Sequence, residues 1–124
     1  MLTDEQIEAA KRSTPHTLDA HHEHNDCIRL AYEWLDAQKL LRAPNTKFRP
    51  LKHIIEKWAG RYVSQTDVEV AAAMHPGIIG KYPNFNISSR MVRPNDRRLA
   101  GIGEALTQGY RDRINETTYA VTED

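Results

Sequence analysis

Residues 80–98 read GKYPNFNISSRMVRPNDRR and hold five basic side chains against one acid. No Asp or Glu occurs between Glu69 and Asp96. Side chains of these types suit contact with nucleic acid. Arginine makes bidentate contacts with guanine or phosphate, and Asn and Ser both donate to and accept from base edges. Lysine and arginine neutralise phosphates, and a run without carboxylates does not repel them. The pattern assigns Asn86, Ser89 and Arg90 to base edges and Lys81, Arg93, Arg97 and Arg98 to phosphates. Lys52, Lys57 and Arg61 extend the basic surface. The competing reading is a solvated basic loop that pairs with acidic helices of the same chain.

A second cluster lies earlier. His16, His21, His22 and His24 fall within nine residues, followed by Asp26 and Cys27. On a helix His21 and His24 share a face, and imidazole with carboxylate suits zinc or nickel. The ligand count falls short of a tetrahedral set, there is no second cysteine, and no His-Glu-x-x-His occurs. Exposed or capping histidines explain the cluster without a metal, and no cofactor is expected. No nucleophile elbow, phosphate-cradling glycine loop or paired-carboxylate signature is present, so no enzymatic activity is expected. Cys27 is the only cysteine and sits among apolar residues, which reads as a small core side chain.

The elements that would position these residues are mainly helical. Thr3 to Gln6 matches a capping box and opens a helix over about 4–12. Thr14 and Pro15 open a longer one to about Leu41, with Cys27, Ile28, Leu30, Ala31, Trp34 and Leu35 on one broad face. Leu51, Ile54, Ile55 and Trp58 give a third helix, closed by Gly60. Ser64 or Thr66 caps a fourth over about 65–75, whose small-residue face admits close packing. Pro76-Gly77 is a turn. Residues 84–92 read either as a strand or as a short helix. A fifth helix spans about 96–115, with Gly101 and Gly103 marking close packing. Residues 117–121 favour a strand that pairs with 85–91 or hangs as a tail. Trp34 and Trp58 follow the helical spacing of core residues.

The expected fold is a mainly α, single-domain bundle of about five helices spanning 1–124. An acidic helical part covers 1–43, a basic part 50–115, and a strand or tail 116–124. The third helix, the fourth helix and 84–93 together suggest a helix-turn-helix or winged-helix-like centre. Formal net charge is zero, yet its distribution is uneven. Residues 1–36 carry three basic and eight acidic side chains, and 37–63 carry seven basic and one acidic. Such segregation points to a polyanion or an oppositely charged protein surface. No apolar run reaches the roughly 18 residues of a membrane helix, and the first residues lack a secretory pattern. The expectation is a cytoplasmic DNA-binding regulatory or accessory protein of prokaryotic or phage style, with homodimerisation as an option. The alternative is a helical adaptor or inhibitor that binds a protein partner.

Overall fold

The computed structural model describes residues 1–15, 20–47 and 49–124. Four α-helices form among them: α1 (Asp4–Ser13), α2 (Asn25–Asp36), α3 (Leu51–Ala59) and α4 (Gln65–Met74). Four two-residue strands follow: β1 (Gly80–Lys81), β2 (Asn84–Phe85), β3 (Val92–Arg93) and β4 (Val121–Thr122). The chain is therefore mainly helical with two small sheets. No described helix is long and apolar enough to cross a membrane.

Local sequence accounts for most helix ends. Thr3 and Gln6 form the reciprocal capping box of α1, and Ser64 with Asp67 does the same for α4. Gly60 closes α3 in the left-handed region, where a side chain would be strained and its Cβ would lie 2.9 Å from the Leu106 backbone. Helix α4 is buried nearly all round and packs chiefly against α2, with α1 on its flank. The expected face of α2 is entirely buried. Trp34 and Trp58 are fully enclosed, and their indole N–H groups donate to the Tyr119 hydroxyl and the Pro94 carbonyl. Burial of the rings with a partner for each N–H is what a core tryptophan requires.

Two helices differ from the sequence reading. The second begins at Asn25, not Pro15. Thr14 instead closes α1, donating from backbone and hydroxyl to the Ala10 carbonyl. His16, in the histidine cluster, lies outside the described residues. Residues 21–23 are captured by the N-terminus of α4. The Ser64 and Thr66 hydroxyls donate to the His21 carbonyl, and Glu23 N–H donates to Asp67. Those long-range bonds hold the backbone out of a helix, and the His24 ring then caps α2 by accepting from Asp26 N–H.

The fifth helix is absent. Residues 96–115 form single 3-10 turns at Asp96–Leu99 and Gly109–Arg113, with another at Glu116–Thr118. Gly101 and Leu106 both take positive φ, which interrupts helical propagation. Leu106 and Gln108 give their N–H groups to the carbonyls of Ala59 and Gly60. Gly101 thus serves a turn and does not mark helix packing. The segment 84–93 is extended, so the place expected for a reading helix holds none. Strands β1 and β2 pair antiparallel, with Gly80 opposite Phe85. Strand β4 pairs parallel with β3, Val121 opposite Val92, just beyond the partner segment expected from sequence.

Candidate nucleic-acid interface

The ten basic and polar residues singled out by sequence separate into two groups. Six are committed to the protein itself. Arg98 bridges Glu33, Asp36 and Glu123, at 2.9, 3.0 and 2.6 Å. Glu123 grips it with both oxygens, and its guanidinium is held above the ordinary arginine range by these bonds. Arg93 pairs with Glu116 and Asp96. Arg61, 8% exposed, pairs with Glu23 and Glu104. Lys52 bonds Glu56 and the Val63 carbonyl and lies over the Tyr62 ring. Arg97 donates to the Asp124 carbonyl. These contacts realise the internal reading of charge segregation: acids from α2, residues 20–24 and the C-terminal segment neutralise the arginines of the middle.

Asn86 is the sixth. It is 3% exposed, and its amide is spent on backbone. The side-chain oxygen accepts from Ile79 N–H at 2.8 Å, and the amide nitrogen donates to the carbonyls of Leu41 and Gly77 at 3.0 Å each. A base edge has no access to it. Lys57 makes no ion pair among the described residues and lies beside Ile114 and Tyr119, on the C-terminal side of α3. Lys81, Ser89 and Arg90 remain exposed, and neither cation has a carboxylate partner among the described residues.

The histidines have protein partners too. His21 pairs with Glu23, His22 with Asp67, and His53 with Glu56. His75 accepts Gly77 N–H at Nδ1, which leaves Nε2 to donate to Asp36. His21 and His24 lie ahead of α2, not on one helical face. No group of three potential metal ligands forms among the described residues. Burial pushes the Cys27 thiol up to about 12, which keeps it protonated and unreactive.

What sequence reading missed is where the free cations gather. A second acid-free run spans residues 37–55. The structure lays its first half along the acid-free run 70–95. Ser88 N–H donates to the Lys39 carbonyl, Leu41 N–H to Asn86, and Asn45 N–H to Phe85, at 2.7 to 3.0 Å. Leu40 and Ile87 form an antiparallel bridge. The Asn45 amide reaches the Ile87 carbonyl and the Ser89 hydroxyl, and the Asn84 amide returns to the Asn45 carbonyl. Pro44 packs over Gly80, where φ of +97° and the Asn84 carbonyl exclude a side chain. The paired segments therefore carry Lys39, Arg42, Lys47, Lys81 and Arg90 on one face, all exposed and without an ion pair among the described residues; Lys81 also lines a cavity that Glu69 borders. Charge imbalance in 37–63 was the available signal. Extending the second helix through Leu41 hid it, because a helix closes its own backbone hydrogen bonds and leaves none for pairing with residues 85–88.

Arg49 lies behind this face. It is 6% exposed and donates to the carbonyls of Ser88 and Ile87. Its Nε has no hydrogen-bond partner and no carboxylate stands beside it among the described residues. Burial pushes the guanidinium down from its ordinary value, though arginine remains charged in a protein. A buried, uncompensated cation adds to the positive potential in front of it.

The arrangement can attract and neutralise a polyanion, and it presents no activated nucleophile. Comparison with family models, curated proteins and solved structures returned no match.

Proposed function

We propose that this chain is a non-catalytic nucleic-acid-binding protein that takes the phosphate backbone on the face of Lys39, Arg42, Lys47, Lys81 and Arg90. One observation carries the reading: two acid-free segments, distant in sequence, are paired backbone to backbone, and their exposed cations are left without carboxylates. Elsewhere Arg29, Arg61, Arg93, Arg98 and Arg111 are matched to acids; the exposed Arg12, Arg97 and Arg113 make no ion pair among the described residues, but they do not lie on these two paired segments. Ser89 lies within the face as an exposed neutral hydrogen-bonding group, while the Asn45 and Asn84 amides hold its two segments together. Arg93 and Arg98 are paired with carboxylates and are assigned to the fold, while the exposed Arg97 gives one hydrogen bond to the Asp124 backbone. No reading helix is required, since affinity of this kind comes from phosphate contacts and not from groove insertion.

Binding by these cations releases counterions. Each neutralised phosphate contributes a log–log salt slope of about −0.7 to −0.9. Fluorescence anisotropy with labelled mixed-sequence DNA, titrated from low to physiological salt, measures it. A slope worth several phosphates is expected. The triple variant Lys39→Glu, Arg42→Glu, Arg90→Glu should abolish binding, and Lys57→Gln, off the face, should leave it unchanged. Absence of binding at low salt, or equal loss in both variants, overturns the proposal.

A further inference from the structure

The basic face also carries apolar side chains. Leu40, Leu41 and Ile79 are 36, 40 and 48% exposed, half of the large hydrophobic residues that the described chain leaves open. They are neighbours. Leu40 lies against Gly77, two residues before Ile79, and a Cβ on that glycine would meet the leucine methyl at 2.6 Å. The Asn86 amide ties the backbone of Leu41, Gly77 and Ile79 together. Lys39 and Arg42 flank the leucines in sequence, Lys81 follows Ile79, and Arg90 follows the Ser88 that pairs with Lys39. The result is an exposed aliphatic cluster, fixed through its backbone and flanked along the chain by cations.

Phosphates alone do not account for exposed aliphatic carbon in a polyanion site. A duplex shows phosphate, sugar and groove edges outward and keeps its base faces stacked inside. The face also lacks a projecting helix that could enter a major groove, because it is built from the loop 37–47, the β1–β2 hairpin and the irregular residues that flank it. An unpaired strand offers both surfaces at once: a charged backbone for the cations and free base faces for the aliphatic side chains. Single-strand binders combine a basic track with platforms, characteristically aromatic, on which bases lie; here aliphatic side chains would take that place by hydrophobic contact alone.

We infer that the nucleic acid taken by this face is single-stranded, with its base faces laid on Leu40, Leu41 and Ile79 and its phosphates held by Lys39, Arg42, Lys81 and Arg90. This inference rests on the function proposed above. Covering the cluster removes apolar surface from water on both partners, a gain that a duplex cannot match without unstacking.

The test compares a labelled, non-self-complementary strand of roughly 16 nucleotides, within the span of known single-strand sites, with the same sequence as a duplex. At low salt the single strand should bind about tenfold more tightly. The double variant Leu40→Ser, Leu41→Ser changes exposed side chains only, and its melting temperature verifies folding. It should lose the roughly tenfold single-strand preference, with its salt slope unchanged. Equal binding of both forms, or a double variant that binds the single strand as the parent does, overturns the single-strand assignment while nucleic-acid binding stands. Failure of both forms to bind overturns the function itself. In that case, capture of a synthetic acidic amphipathic peptide assigns the face to a protein partner.

Discussion

Replacement of Asn86 by alanine tests the architecture of the basic face without touching a cation. Its amide makes three hydrogen bonds to the backbone of Leu41, Gly77 and Ile79. Alanine removes all three. Each is worth about 1 kcal/mol net, and more where the orphaned group stays out of reach of water. Leu41 and Ile79 are exposed residues, so water can reach part of what is lost. The expected destabilisation is about 3 kcal/mol, a large fraction of the roughly 5–15 kcal/mol typical of a domain. Urea unfolding followed by the fluorescence of the buried Trp34 and Trp58 measures it. Asn86→Asp sharpens the test. A carboxylate keeps the bond from Ile79 N–H but faces the two carbonyl oxygens, which oppose its ionisation and raise its pKa in the folded state. The variant is then most stable below the ordinary aspartate value of about 3.9, and loses stability as pH rises through the raised folded value. Its deficit against the parent should widen from pH 4 to pH 7. If Asn86→Ala costs less than about 1 kcal/mol and weakens only nucleic-acid binding, Asn86 is a contact residue and the structural reasoning fails.

Two further outcomes follow from charge and burial. Hydrogen bonds from Arg98, working against burial, hold the Glu123 carboxyl below its usual 4.5. That stabilisation is complete above the ordinary value and is lost as pH falls through the lower folded one, so thermal melts should show Glu123→Gln losing less stability than the parent between about pH 5 and pH 3. A parallel pH profile in the variant would contradict the bridge. Cys27 is fully buried, and its thiol donates to the Tyr62 carbonyl. A disulfide-exchange reagent at mildly alkaline pH should find no thiol in the native protein and titrate it fully in urea; rapid native labelling would show that the core opens there.

The sequence made the helices legible where local chemistry decides them. The Thr3 and Ser64 caps, the Gly60 stop, and the apolar faces around Trp34 and Trp58 all depend on residues within one or two turns of each other. It was misleading where distant groups decide. Nothing near His21 in the chain announces that Ser64, Thr66 and Asp67 will hold its backbone and delay α2 to Asn25. Leu99, Ile102, Leu106 and Tyr110 recur at helical spacing within the expected fifth helix over 96–115. The carbonyls of Ala59 and Gly60 and the positive φ of Leu106 outweighed that periodicity. The candidate site was half visible. Composition identified basic segments, but which arginine meets which acid is a tertiary fact. Arg98 and Arg90 are indistinguishable as letters and opposite in circumstance, one surrounded by three carboxylates and the other by none among the described residues.

The bridge between Leu40 and Ile87 has a kinetic consequence. Its partners are 47 positions apart, and the bonds that join Lys39, Asn45 and Arg49 to residues 84–89 span 38 to 49 positions. Helices α1 to α4 can nucleate locally, but these pairings must first close a long loop, and such closures slow folding. The cationic face should therefore be completed late, after the helices have condensed. A chain that has collapsed but not closed this loop has its core in hand and no binding surface. Ligand affinity would then report the last cooperative step of assembly, and a bound strand would protect the amides of Leu41, Asn45 and Ser88 from hydrogen exchange before any others.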